Sequence, residues 1–161
     1  MLFPRQLESD GSVDKIRQVL AERKTLLFPE GSLELPLLVV NKSLTDALRK
    51  ARLQRRVCVG MDDALEKLAA EKKGLDELRQ KTASLQQERI SRLLLFTNDG
   101  ASRLYRKIEQ TLTEHHSRTL GAMFDMDSNA LGRIITGKSG GVKVILIEHK
   151  DAVSDILRAL V

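Results

Sequence analysis

Short apolar segments with strand character alternate with amphipathic helical segments along residues 92–161, and this order most constrains the fold. The predicted strands cover 93–96, 119–124 and 142–147. The predicted helices cover 101–116, 128–136 and 151–160. Strands separated by single helices and short loops favour a sheet with helices on both faces. We therefore predict an α/β fold, a three-layer α/β/α sandwich, for this half of the chain.

The first 60 residues predict a smaller basic α/β domain. Ser12 is typical of a helix N-cap, and Ser43 is expected to cap a second helix that ends near Gln54. The predicted elements are a helix over 13–24, a strand over 33–40, a helix over 43–54 and a strand over 56–59. Pro36 lacks a backbone N–H, so it favours an edge strand or a strand that begins after it.

Residues 61–91 predict a helical connector between the two halves. Leucines recur there at heptad-like spacing, at Leu65, Leu68, Leu75, Leu78 and Leu85. Lys72 and Arg79 occupy positions in the same heptad-like pattern where a coiled coil needs apolar residues, which argues against a stable coiled coil. Gly74 disfavours a helix interior, so we expect one kinked helix or two shorter ones. The connector could supply the first helix of the domain at 92–161.

Composition excludes several classes of protein. The chain has 161 residues, a formal net charge of +5, one cysteine and no tryptophan. No run of 18 apolar residues exists, so we expect no membrane partner. One cysteine excludes an internal disulfide and a multi-cysteine zinc site, and we predict a cytoplasmic protein without metal or cofactor. The scarcity of aromatic residues disfavours stacking on single-stranded bases.

Most of the excess positive charge lies in residues 41–56, which contain six basic residues and one acidic residue, Asp46. On a helical projection the apolar stripe contains Leu44, Ala47, Leu48 and Ala51. The opposite face contains Arg49, Arg52 and Arg56, with Lys50 beside it and Arg55 turning towards the apolar side at the helix end. Such a face can follow a phosphate backbone. The alternative is a solvated face paired with the acidic connector residues Asp62, Asp63 and Glu66.

Residues 132–139, GRIITGKS, match the phosphate-loop pattern. That loop needs a strand before the first glycine and a helix after the Lys-Ser pair. Here the predicted order is reversed, so we interpret Gly137 as the residue that ends a helix. Arg133 and Lys138 instead provide a second candidate contact region for RNA.

Other polar residues have structural explanations. Asp99 and Ser102 occur where a strand meets a helix, which is the usual place for a ligand in α/β folds. They are also typical of turns and N-caps, as are Asp127 and Ser128 before the next helix. His115 and His116 should close a helix, His149 should lie in a loop, and Cys58 should be a core residue.

Residues 92–147 resemble the L-seven-Ae ribosomal proteins, which bind kink-turn RNA. The shared features are the strand end Thr97–Ala101 and the segment Ala130–Arg133, with the sequence Ala-Leu-Gly-Arg, before a last strand. The resemblance implies an α/β/α sandwich and RNA binding. Two segments depart from the family: residues 84–89 lack its Asn-Glu pair, and Asp125–Ser128 is acidic where the family is basic or apolar. Residues 37–57 are similar to a small basic bacterial domain sometimes fused ahead of this family.

These features together favour a non-catalytic, ribosome-associated RNA-binding protein. Its partner would be ribosomal or other structured RNA. The candidate contact residues are Arg49, Lys50, Arg52, Arg55, Arg56, Arg133 and Lys138. One alternative is a protein-interaction module, with a partner or a homodimer held through residues 62–89. Another is a nucleotide-binding enzyme that uses GRIITGKS.

Overall fold

The computed structural model describes residues 1–81, 88–138 and 140–161, which form helices and strands in nearly strict alternation. The helices are α1 (Arg5–Ser9), α2 (Val13–Glu22), α3 (Lys42–Leu53), α4 (Met61–Lys81), α5 (Ser102–Glu114), α6 (Ser128–Thr136) and α7 (Lys150–Arg158). The strands are β1 (Lys24–Leu26), β2 (Glu34–Leu38), β3 (Val57–Val59), β4 (Arg92–Phe96), β5 (Thr119–Phe124) and β6 (Val144–Ile147).

The strands form one mixed sheet in the order β1-β2-β5-β4-β6-β3. β5 is parallel to both β2 and β4, while the β1–β2, β4–β6 and β3–β6 pairs are antiparallel. Every residue of β5 and of β6 is buried, as expected for strands that are covered on both faces. The predicted central strands are confirmed, and β5 has the predicted bounds.

Helices cover both faces of this sheet, which confirms the three-layer architecture. Successive residues of β4 face opposite ways: Leu93 and Leu95 pack with α3, α6 and α7, whereas Leu94 and Phe96 pack with α4 and α5. α1 and α2 add Leu7 and Ile16 to the first of these two cores. The alternating burial fixes the register of β4 between the two helix layers.

The strands of the first 60 residues belong to the same sheet as those of residues 92–161, which differs from the predicted division into separate domains. β2 pairs with β5, and β3 pairs with β6. Both strands are short, with five and three residues, so their backbone groups and apolar side chains need a larger sheet. A sequence pattern does not show such pairing, because the partners are far apart along the chain.

The predicted connector belongs to one of the two helix layers of this fold. α4 is a single helix of 21 residues that continues through Gly74, and it packs on β3 and β6. Ala64 and Leu68 are the residues of α4 that are buried. Residues 82–87, including the predicted seam residue Leu85, lie outside the described residues. In the described part of the chain, no helix combines the length and apolarity needed to cross a membrane.

Candidate nucleic-acid interface

α3 is the amphipathic helix that the sequence predicts. Asn41, rather than the predicted Ser43, caps it, since the Asn41 side chain accepts a hydrogen bond of 2.9 Å from the backbone N–H of Leu44. Leu44, Leu48 and Ala51 are buried, and the helix packs on α6 and α7. This packing fixes which side of α3 faces solvent.

Arg49 and Arg52 project from the solvent side of α3. Both are exposed, and neither makes an ion pair with any residue that the structure describes. No carboxylate of α4 forms an ion pair with them, although Asp63 and Glu66 line an open groove along β3 together with Arg52. Asp62 instead pairs with Lys107 at 3.2 Å.

Arg55 follows Gln54, the C-cap residue of α3, and has a left-handed backbone conformation with φ of 58°. Its N–H donates to the carbonyl of Arg52, and the N–H of Arg56 donates to the carbonyl of Ala51 at 2.9 Å. This is a Schellman motif, whose left-handed position is usually occupied by glycine. An arginine there costs about 1–2 kcal/mol relative to right-handed backbone. The sequence signal for this turn is the lack of glycine between the end of α3 and β3, which leaves a non-glycine residue at the left-handed position.

Two predicted contact residues have other surroundings. Because α3 ends at Leu53, Arg56 does not lie on the helical face with Arg49; it is half-buried, and its carbonyl accepts from the N–H of Glu148 at 2.9 Å. Lys50 forms an ion pair of 3.2 Å with Asp155 of α7, so its charge is partly neutralised. The charge of Lys50 is therefore paired, while Arg56 makes no ion pair with a described residue but lies apart from the exposed face of α3.

Arg133 and Lys138 lie at the carboxyl-terminal end of α6, which packs beside α3. Both are exposed and make no ion pair with a described residue. Gly137 is the left-handed C-cap, with φ of 72°, and its N–H donates to the carbonyl of Arg133. A helix therefore precedes the GKS segment, as predicted, and β6 follows it, which is opposite to the phosphate-loop order. Ser139 lies outside the described residues.

We call the set Arg49, Arg52, Arg55, Arg133 and Lys138 the α3–α6 basic surface. Its members lie at the exposed ends and faces of two adjacent helices in one layer of the sandwich. Guanidinium groups without carboxylate partners retain their full capacity for bidentate contacts with phosphate oxygens. The surface can therefore attract a polyanion without breaking an existing ion pair.

The amino-terminal end of α6 is already occupied by two carboxylates. The Asp127 side chain accepts from the N–H of Ala130 at 2.8 Å, which confirms its capping role. Asp99 accepts from the N–H and the hydroxyl of Ser128, at 3.0 and 2.7 Å, and from the Thr97 hydroxyl at 2.7 Å. Partial burial would raise the pKa of Asp99, but these hydrogen bonds outweigh it and lower the pKa to about 2. A phosphate would be repelled from this helix end.

Asp99 should therefore make folding stability depend on acidity. Its pKa is depressed from 3.8 to about 2, so its contribution is present above pH 4 and is lost as the pH falls through 2. Because Asp99 is exposed, solvent screening reduces this contribution to about 1 kcal/mol. We expect Asp99→Asn to lower the free energy of unfolding by that amount at pH 7. Urea titrations between pH 2 and 7 should show the difference shrink in acid, and a constant difference would contradict the assignment.

The histidines and the cysteine have structural environments. His115 is the C-cap of α5, as predicted, and burial lowers its pKa. His149 caps α7, its Nδ1 accepting a hydrogen bond of 3.1 Å from the N–H of Asp151. Cys58 is buried in β3, where burial raises the pKa of the thiol. Among residues 1–81, 88–138 and 140–161, no three His, Cys, Asp or Glu side chains are grouped to hold a metal ion.

Comparisons with known proteins find similarity in structure only. No protein-family model and no curated protein matches the chain. A protein of unknown function from Bacillus halodurans is 13% identical, with a TM-score of 0.53, and the match covers 74% of this chain and 98% of that one. A Giardia lamblia 15.5 kD RNA binding protein is 14% identical, with a TM-score of 0.49, and the match covers 76% and 88% of the two chains. The first likeness shows a shared α/β fold.

Proposed function

We propose that this chain is a non-catalytic RNA-binding protein that docks on structured RNA through the α3–α6 basic surface. One observation carries the proposal: Arg49, Arg52 and Arg55 are exposed around the end of α3 without a carboxylate partner among the described residues. A backbone polyanion can engage all three at once and release its condensed counterions. Arg133 and Lys138 extend the same surface along α6.

The aromatic residues favour recognition of shape and phosphate over stacking. Phe3, Phe96, Phe124 and Tyr105 are buried, and the ring of Phe28 is covered by the Arg106 guanidinium at 5.6 Å. Single-stranded RNA is usually held by exposed aromatic platforms, whereas duplex RNA is recognised by shape and backbone. We therefore propose a folded RNA, such as a ribosomal RNA, as the partner.

The resemblance of residues 92–147 to the L-seven-Ae family supports RNA as the ligand class. The acidic loop before α6 departs from the family pattern and suggests a different contact surface. In this chain the loop before α6 carries Asp125 and Asp127, and Asp99 is bonded to Ser128 at the helix start. Asp125 pairs with Arg23 at 3.5 Å, but Asp99 and Asp127 make no ion pair with a described residue, and these two carboxylates oppose phosphate binding at this helix end. The arginines at the far end of α6 and on α3 carry the proposed contact instead.

A salt titration tests this proposal. The variant Arg49→Gln/Arg52→Gln removes two charges that lie opposite the buried stripe of α3, so each change should alter stability by only about 0.5 kcal/mol or less. If each arginine displaces one counterion, the slope of log affinity against log salt should shrink by about 2 units. The measurement is fluorescence anisotropy with a labelled ribosomal RNA hairpin at several salt concentrations.

A matched variant separates the surface from net charge. Lys73→Gln/Arg103→Gln removes two exposed charges from α4 and α5 on the opposite face, and these residues also make no ion pair with the described part of the chain. We expect its slope to equal that of the wild type. Equal slopes in all three proteins would reject the α3–α6 basic surface. Absence of wild-type binding at low salt would favour the alternative of a protein partner on α4, where Leu78 is 59% exposed.

A further inference from the structure

Pro36 holds β2 and β5 apart at one end of the sheet. The two strands pair only at Leu37 with Met123 and at Leu38 with Phe124. Pro36 has no N–H to donate, so the ladder cannot extend through it. On its other side, Pro36 lies opposite Lys24 of β1. The gap that results opens into a cavity of about 330 Å³ between α2, the start of β2 and the start of β5.

The cavity walls are mainly apolar and come from both halves of the chain. They include Phe3, Leu20, Leu33, Leu35, Leu112 and Leu120. Small-molecule sites are typically concave, apolar and at least about 300 Å³ in volume. This cavity lies at the small end of that range, so it suits a short apolar ligand better than a protein segment.

The rim of the cavity is positively charged. Arg17 and Lys24 line it and make no ion pair with any described residue, while Glu34 is the one carboxylate among the lining residues. The Arg17 guanidinium lies over the Phe3 ring at 5.2 Å and donates to the carbonyl of Met1 at 3.1 Å. These contacts orient it at the mouth and leave other N–H groups available. The imidazole of His116 also lines the cavity.

We propose that this cavity is a binding site for a small organic acid with an apolar body. The apolar part would fill the gap between β2 and β5, and the carboxylate would meet Arg17 and Lys24 at the mouth. Charge-assisted hydrogen bonds to the carboxylate give selectivity for an acid over a neutral molecule of the same length. The site is separate from the α3–α6 basic surface and does not depend on RNA binding.

Octanoate and octan-1-ol are the probes, since they share an alkyl chain and differ in charge. Titration of the ¹⁵N-labelled full chain should shift the amide signals of Thr119, Leu120 and Gly121 with octanoate, at an affinity at least about tenfold above that of octan-1-ol. The variant Arg17→Gln/Lys24→Gln should remove this preference while leaving octan-1-ol binding unchanged. Lys15→Gln, on the same helix α2 but outside the cavity lining, should retain the preference.

Equal affinities of the wild type for the two probes, no shift at the cavity amides, or unchanged octanoate binding in Arg17→Gln/Lys24→Gln would each overturn the proposal.

Discussion

Replacing Gly132 by alanine should destabilise the fold by about 3 kcal/mol, although glycine to alanine normally strengthens a helix interior. Gly132 lies within α6, and a Cβ there would overlap the carbonyl oxygen of Gly140 and lie 3.5 Å from the backbone nitrogen of Val142. The obstacle is backbone, which cannot move aside as a flexible side chain can. Val142 is also bound, since its N–H donates to the carbonyl of Ser128 at 3.0 Å. Urea unfolding measures the effect.

Gly74→Ala in α4 is the matched control. Gly74 is also inside a helix, but a Cβ at this position would meet no atom within 4 Å. The ordinary helix propensity should therefore dominate, and we expect the free energy of unfolding to rise by about 1 kcal/mol. Opposite signs for the two alanine variants are the expected result. A stabilising Gly132→Ala would show that the loop at 140–142 does not pack against α6 as described.

Arg55→Gly should raise stability and weaken RNA binding in the same protein. Glycine accepts the left-handed conformation at φ 58° without the clash that Arg55 carries, so unfolding should cost about 1 kcal/mol more. The substitution also removes one positive charge from the α3–α6 basic surface. The salt slope of RNA binding should shrink by about 1 unit. Thermal unfolding and anisotropy titrations measure the two effects.

Arg55→Ala separates the two causes. It removes the same charge and keeps the strained backbone, so RNA binding should fall as in Arg55→Gly without the gain in stability. Retention of a strained arginine is understandable if the side chain is needed for binding, because strain tends to persist where function requires it. Undiminished RNA binding in both variants would remove Arg55 from the proposed interface.

Local sequence signals predicted most of the individual elements, although not α1 or β1. β5 and α6 have the predicted bounds. β5 is a six-residue apolar run, and α6 is bounded by Asp127 before it and Gly137 after it, so each signal is contained within a few residues. The apolar stripe of α3 was also predicted from spacing alone. The position of the N-cap was less well predicted, since Asn41 and Ser43 are both good capping residues and only the backbone path selects between them.

The arrangement of those elements depends on contacts that local signals do not contain. β2 and β3 pair with residues that lie 86 to 90 positions away in sequence, so the predicted boundaries at 60 and 91 do not divide the sheet. The candidate site shows the same limit. Arg49 and Arg52 followed from helical spacing, whereas the Lys50–Asp155 ion pair spans 105 residues, and Arg56 depends on where the helix stops.

The strand order has a consequence for how the chain folds as it is synthesised. A β1–β2 hairpin can form early, but two isolated strands are only marginally stable in water. β2 cannot pair with β5 until β5 has been synthesised. β3, which lies at one edge of the sheet, cannot pair with β6 until residues 144–147 have been synthesised. Closing such long loops before their contacts form slows folding. Most of the chain must therefore leave the ribosome before its first 60 residues reach their native partners.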